Sequence, residues 1–127
     1  MFIQNVSMQN IQDGWHYDAG PNSMLIQIVG PDMKHPDPKY PFKEIYKYKF
    51  LDIEDGSPEG PLPHHALSIV ENLKHAKENH MNVIVHCVAG ICRSGAVVAA
   101  GVFMGFEDTG TYRQPNLLLK HLLFKEI

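Results

Sequence analysis

His86-Cys87-Val88-Ala89-Gly90-Ile91-Cys92-Arg93-Ser94 places a cysteine and an arginine at the two ends of a short loop, with five residues between them. A loop of that length curls around one tetrahedral oxyanion. Its backbone N–H groups turn inward, and the helix that follows adds its positive dipole end. Arginine supplies a planar fork that matches two phosphate oxygens. A cysteine on the floor of such a cup sits in a positive field that favours the thiolate. Nucleophile, anion site and electrostatic clamp thus fall within nine residues.

The flanking sequence sets this loop in an α/β context. Before it, Met81 to Val85 is a short, β-branched run expected to form a central buried strand. After it, Ser94 to Met104 is expected to be a buried helix whose small residues Gly95, Ala96, Ala99, Ala100 and Gly101 allow close packing. Further upstream, Ala66, Ile69, Val70, Leu73 and Ala76 follow helical spacing and predict an amphipathic helix over His65 to Asn79. Met24 to Val29, closed by Gly30-Pro31, and the alternating Ile45 to Phe50 predict two more strands, the second with lysines on one face. Pro31 to Pro41 and Glu54 to Pro63 read as loops. A last helix starts near Pro115-Asn116. The expected fold is α/β, a small, mostly parallel sheet with helices on both faces. The phosphate-binding loop then lies between a central strand and a buried helix, where such sheets place ligands.

Composition narrows the class. The chain has 127 residues, 44% hydrophobic and 20% charged, with net charge −3, and is expected to form a single domain over 1–127. That charge offers no footprint for nucleic acid. The N-terminus MFIQNVSMQN lacks a secretory pattern. Gly95 to Phe106 is too short to span a bilayer. Two cysteines close in sequence suggest a reducing cytoplasm rather than a disulfide framework. The expectation is a cytoplasmic monomer without nucleic-acid or membrane partners.

His86-Cys87-x-x-Gly90-x-x-Arg93-Ser94 resembles the active-site motif of cysteine-dependent protein tyrosine phosphatases, most closely their compact dual-specificity branch. Leu51-Asp52-Ile53-Glu54-Asp55 looks like the segment that ends in that branch's general-acid aspartate. Arg113-Gln114-Pro115-Asn116 is similar to the Pro-Asn start of a late helix. The resemblance runs from about Met24 to the end and omits roughly the first twenty residues. It implies a hydrolase acting on phosphotyrosine, and on phosphoserine or phosphothreonine, in a protein or peptide, through a phosphocysteine and without cofactor or metal. Cys87 would attack phosphorus. Arg93 and the backbone of Val88, Ala89, Gly90, Ile91, Cys92 and Arg93 would hold the non-bridging oxygens. Ser94 would donate to the Cys87 sulfur or cap the next helix. His86 would orient the loop through backbone. Asp55 would protonate the leaving oxygen, with Asp52 and Glu54 as competitors.

Other residues carry weaker readings. The histidines His64, His65, His75 and His80 fit no metal-ligand spacing. Trp15 and Tyr17 either flank a phosphotyrosine ring or pack. Lys34, His35 and Lys39 either favour an acidic phosphopeptide or form a solvated loop. Cys92 departs from the family pattern. It either packs beneath the loop or pairs with Cys87 on oxidation. The apolar Val88, Ala89 and Ile91 argue against a highly charged lipid head group. A rhodanese-type sulfurtransferase, an arsenate-reductase-like thiol enzyme and a non-catalytic phosphopeptide-binding module are the alternatives.

Overall fold

The computed structural model describes residues 1–14 and 17–127, with Tyr17 by its backbone alone. Trp15 and the Tyr17 side chain therefore lie outside the described residues. Five strands form one sheet: β1 (Phe2–Ser7), β2 (Ser23–Val29), β3 (Glu44–Lys49), β4 (Asn82–Cys87) and β5 (Glu107–Asp108), in spatial order β3-β2-β4-β1-β5. All pairings among these strands are parallel. The helices are α1 (Met8–Asp13), α2 (Pro63–Glu78), α3 (Arg93–Phe103) and α4 (Leu117–Glu126).

The strands alternate between two cores. Met24, Ile26 and Ile28 of β2, Val83, Val85 and Cys87 of β4 and Ile3 of β1 point to the face covered by α2, α3 and α4. Leu25, Ile84 and Val6 point to the other face, against Ile11 of α1, Ala19 and Phe42. Both faces are thus covered, but the three long helices share one of them. Burial on both faces explains why β2 and β4 read as continuous apolar runs. The edge strand β3 alternates half-buried and exposed residues instead.

Close approach of α3 to the sheet depends on its small residues. A Cβ at Gly101 would stand 2.5 Å from Ile3 Cδ1. Pro63 opens α2 at its first turn, where a missing N–H costs nothing. The Asn116 side chain caps α4 by accepting from the Leu119 N–H at 2.9 Å.

The N-terminal strand, which lies before the resembling segment, joins the sheet: β1 pairs with β4 along Ile3↔Val83 to Ser7↔Cys87. The segment Phe2-Ile3-Gln4-Asn5-Val6-Ser7 hides its strand character behind polar Gln4 and Asn5. Asn5 is nevertheless buried, because its amide serves the loop described next. β5, two residues long, carries no periodic pattern that a sequence reading detects.

Candidate active site

Cys87 ends β4 and Arg93 opens α3, so strand and helix fix the two ends of the loop. The loop carbonyls are tied to surrounding elements. The Cys87 carbonyl lies 3.1 Å from His86 Nδ1. The Val88 carbonyl accepts from Met8 N at 3.1 Å, the Ile91 carbonyl from Gln114 N at 3.1 Å and the Cys92 carbonyl from Asn116 N at 2.9 Å. Asn5 Nδ2 donates to the Gly90 carbonyl at 2.7 Å and to the Tyr112 carbonyl at 2.8 Å. With these carbonyls held, the amides are left to face the sulfur.

The Cys87 Sγ accepts from the Gly90 N–H at 3.3 Å and lies 3.2 Å from Ser94 Oγ. Burial alone would push this thiol up. The Ser94 hydroxyl, with the backbone N–H groups of Ser94, Gly90 and Ile91, outweighs burial and holds it below the ordinary thiol value. Hydrogen bonds to the charged form therefore decide the shift. Ser94 stands in the second position of α3, and its hydroxyl serves the sulfur; Cys92 occupies the N-cap position, but its side chain does not cap the helix.

Gly90 has φ +76°, and a Cβ there would stand 2.4 Å from the Val6 carbonyl carbon and 2.5 Å from Ser7 N. No side chain can occupy that space without moving β1. Gly90→Ala is expected to destabilise the fold by about 2 kcal/mol or more, from left-handed backbone and overpacking together. Thermal unfolding checks it; an unchanged midpoint would mean that the loop does not lie against β1.

Arg93 is 8% exposed, and its Nη1 donates to the Phe50 carbonyl at 2.8 Å. Its Nε is buried without a hydrogen-bond partner. A buried guanidinium donor left unsatisfied is costly, and an oxyanion in the loop is the group that would satisfy it.

A cleft of about 450 Å³ adjoins the loop at Cys92, lined also by Asp52, Glu54, Pro115, Asn116 and Leu117. Asn116 binds its parts together. Beyond capping α4, its Nδ2 donates to Asp52 Oδ1 at 2.8 Å and to the Ile53 carbonyl at 3.1 Å. Glu54 Oε2 accepts from the Leu117 N–H. The half-buried Cys92 thiol is pushed up by burial and then by the Asp52 carboxylate, to which it is hydrogen-bonded. Asp55 stands apart from this cleft. It is exposed, and its Oδ1 accepts from the Ser57 N–H at 3.0 Å. That bond holds its carboxyl below the usual range.

The structure thus brings together Cys87, Gly90, Ile91, Arg93 and Ser94, with Asp52 beside Cys92. Asn5 and Asn116 are the residues that sequence reasoning missed as positioning groups. The Pro115-Asn116 pair was the available cue for Asn116; Asn5 had none, since its partner lies 85 residues away.

Comparison with known proteins bears on the family and the fold. The family model described as protein-tyrosine phosphatase matches residues 34–116. None of the curated proteins matches the chain. Among solved structures, human DUSP28 is similar with a TM-score of 0.68 at 17% identity, over 98% of this chain and 90% of that one. A human tyrosine phosphatase-like serine/threonine/tyrosine-interacting protein gives 0.67 at 17% identity, over 97% and 89%. A mouse putative dual specificity phosphatase complexed with zinc tungstate gives 0.66 at 17% identity, over 98% and 79%. At such identities the likeness is one of fold.

Proposed function

Because the chain belongs to the protein-tyrosine phosphatase family, we propose that it hydrolyses phosphotyrosine, and phosphoserine or phosphothreonine, in phosphoproteins through a phosphocysteine on Cys87. The observation that carries this reading is the convergence of Ser94 Oγ and the Gly90 N–H on the Cys87 sulfur, with the unpartnered Arg93 Nε nearby in the same loop.

The Cys87 thiolate attacks phosphorus, and the P–O bond to the leaving oxygen breaks. Arg93 and the loop amides hold the three non-bridging oxygens as charge redistributes. Water then attacks the phosphocysteine. The sulfur leaves as a thiolate, stabilised by the Ser94 hydroxyl, and inorganic phosphate is released. Vanadate, which mimics the transferring group, is expected to inhibit.

The leaving oxygen needs a proton. The resemblance favours Asp55, but its carboxyl is turned to the Ser57 N–H, a bond that holds it below the usual range. Asp52 lines the cleft beside the loop, and position favours it as the acid. Turnover should rise as the Cys87 thiol ionises and fall as the acid loses its proton. Asp52→Asn is expected to remove the basic limb of the pH–rate profile for a poor leaving group. Loss of that limb in Asp55→Asn instead would return the role to Asp55.

The human phosphatase-like interacting protein shows by its name that this fold also occurs in proteins called phosphatase-like. Fold alone therefore does not carry the activity; Cys87, Arg93 and Ser94 do. Steady-state turnover of an aryl phosphate without added metal tests the reading. Tight phosphopeptide binding with no turnover would make the chain a binding module.

A further inference from the structure

A second cleft, of about 380 Å³, is lined by Lys34, His35, Lys47 and Lys49 together with Asp32 and Asp37. Its position follows from the sheet. Lys47 and Lys49 lie two apart on β3 and so share a face, near the carboxyl end of that strand. Asp32 and Lys34 follow the end of β2. The catalytic loop leaves the same carboxyl edge, after β4. Phe50, next to Lys49, offers the carbonyl that anchors Arg93.

The lysines are held together without counter-charges in contact. His35 is turned to β3 by a 2.9 Å contact between its Nε2 and the Tyr48 carbonyl, which fixes the loop carrying Lys34 against the strand. Among the described residues, neither Asp32 nor Asp37 forms an ion pair with a lysine; the ion pairs found are His75–Glu44 and Arg113–Asp108. Three lysines against two aspartates leave the cleft positive in a chain of net charge −3. Like charges on neighbouring positions of one strand face repel, and an anionic ligand relieves that repulsion.

We propose that this cleft binds a carboxylate side chain of the phosphoprotein substrate, flanking the phosphorylated residue; this rests on the phosphatase reading above. The spacing follows from the strand order. Only β2 separates β3 from β4, so cleft and loop are about two strand spacings, roughly 10 Å, apart. An extended peptide covers that distance in about three residues. The preferred substrate carries Asp or Glu about three positions from the phosphorylated residue.

The test uses two pairs of phosphotyrosine peptides, one pair differing only in Glu or Gln three positions before the phosphotyrosine and the other only in Glu or Gln three positions after it. The expected result is a kcat/KM about fivefold higher for the Glu peptides, expressed in KM and weakened by salt. The doubly substituted Lys47→Glu, Lys49→Glu protein should lose that preference and keep wild-type turnover of a small aryl phosphate. Equal kcat/KM for the peptides, or a preference that survives the double substitution, overturns the proposal. Anisotropy with the same peptides labelled, on the Cys87→Ser protein and on that protein with both lysines reversed, separates the two readings. Lysine-dependent preference in binding with no turnover by the parent retains the cleft and removes the phosphatase. Turnover with no preference in either assay does the reverse.

Discussion

Cys87→Ser is expected to reduce turnover of an aryl phosphate by on the order of a thousandfold or more, while the protein stays folded and binds phosphopeptide. The loop is arranged for a thiolate. The Gly90 N–H and the Ser94 hydroxyl meet the sulfur at 3.3 and 3.2 Å, and with the Ser94 and Ile91 amides they hold the thiol below its ordinary value despite burial. A serine hydroxyl in the same place stays protonated near neutral pH, and the loop presents no base to remove its proton. The hydrogen bonds that hold the loop carbonyls come from Met8, Asn5, Gln114 and Asn116, not from the sulfur, so the cup should survive the exchange. Kinetics with thermal unfolding and peptide binding checks all three parts. Near-normal turnover would remove Cys87 from the mechanism.

Arg93→Lys should cost about a hundredfold or more in kcat/KM, although the charge is kept. Arg93 uses one nitrogen on the Phe50 carbonyl at 2.8 Å and still has Nε without a partner. A lysine ammonium cannot hold that carbonyl and also present a planar pair of donors to an oxyanion. The loss should appear mostly in kcat, because the charge that the guanidinium matches develops in the transition state. A lysine variant within a few fold of the parent would show that no bidentate clamp operates.

How far the sequence carries a reader depends on the range of the contacts. The β4–loop–α3 unit was legible because strand, cup and helix are contiguous, and each follows from its own residues. Asn5 was not legible: its value comes from the Gly90 carbonyl, 85 positions away. The same cause hid β1, since a buried amide in a short strand breaks the apolar pattern by which strands are found. Asp52 and Asp55 are three apart in one loop, and the resemblance pointed to Asp55. Their surroundings were not legible: Asn116, 64 positions on, donates to Asp52, while Asp55 closes a local turn with Ser57. Cys92 is similar. Sequence left it between packing and pairing with Cys87, and the structure gives its thiol a carboxylate partner.

The central claim is that Cys87 carries the phosphoryl group between substrate and water. Rapid acid quench of the protein during turnover of an aryl phosphate, followed by peptide mass analysis, tests it most directly. The expected result is a phosphoryl adduct on Cys87, increased in Ser94→Ala because its thiolate leaves more slowly. Turnover with no adduct on Cys87 in either protein, or with the adduct on another residue, would contradict it.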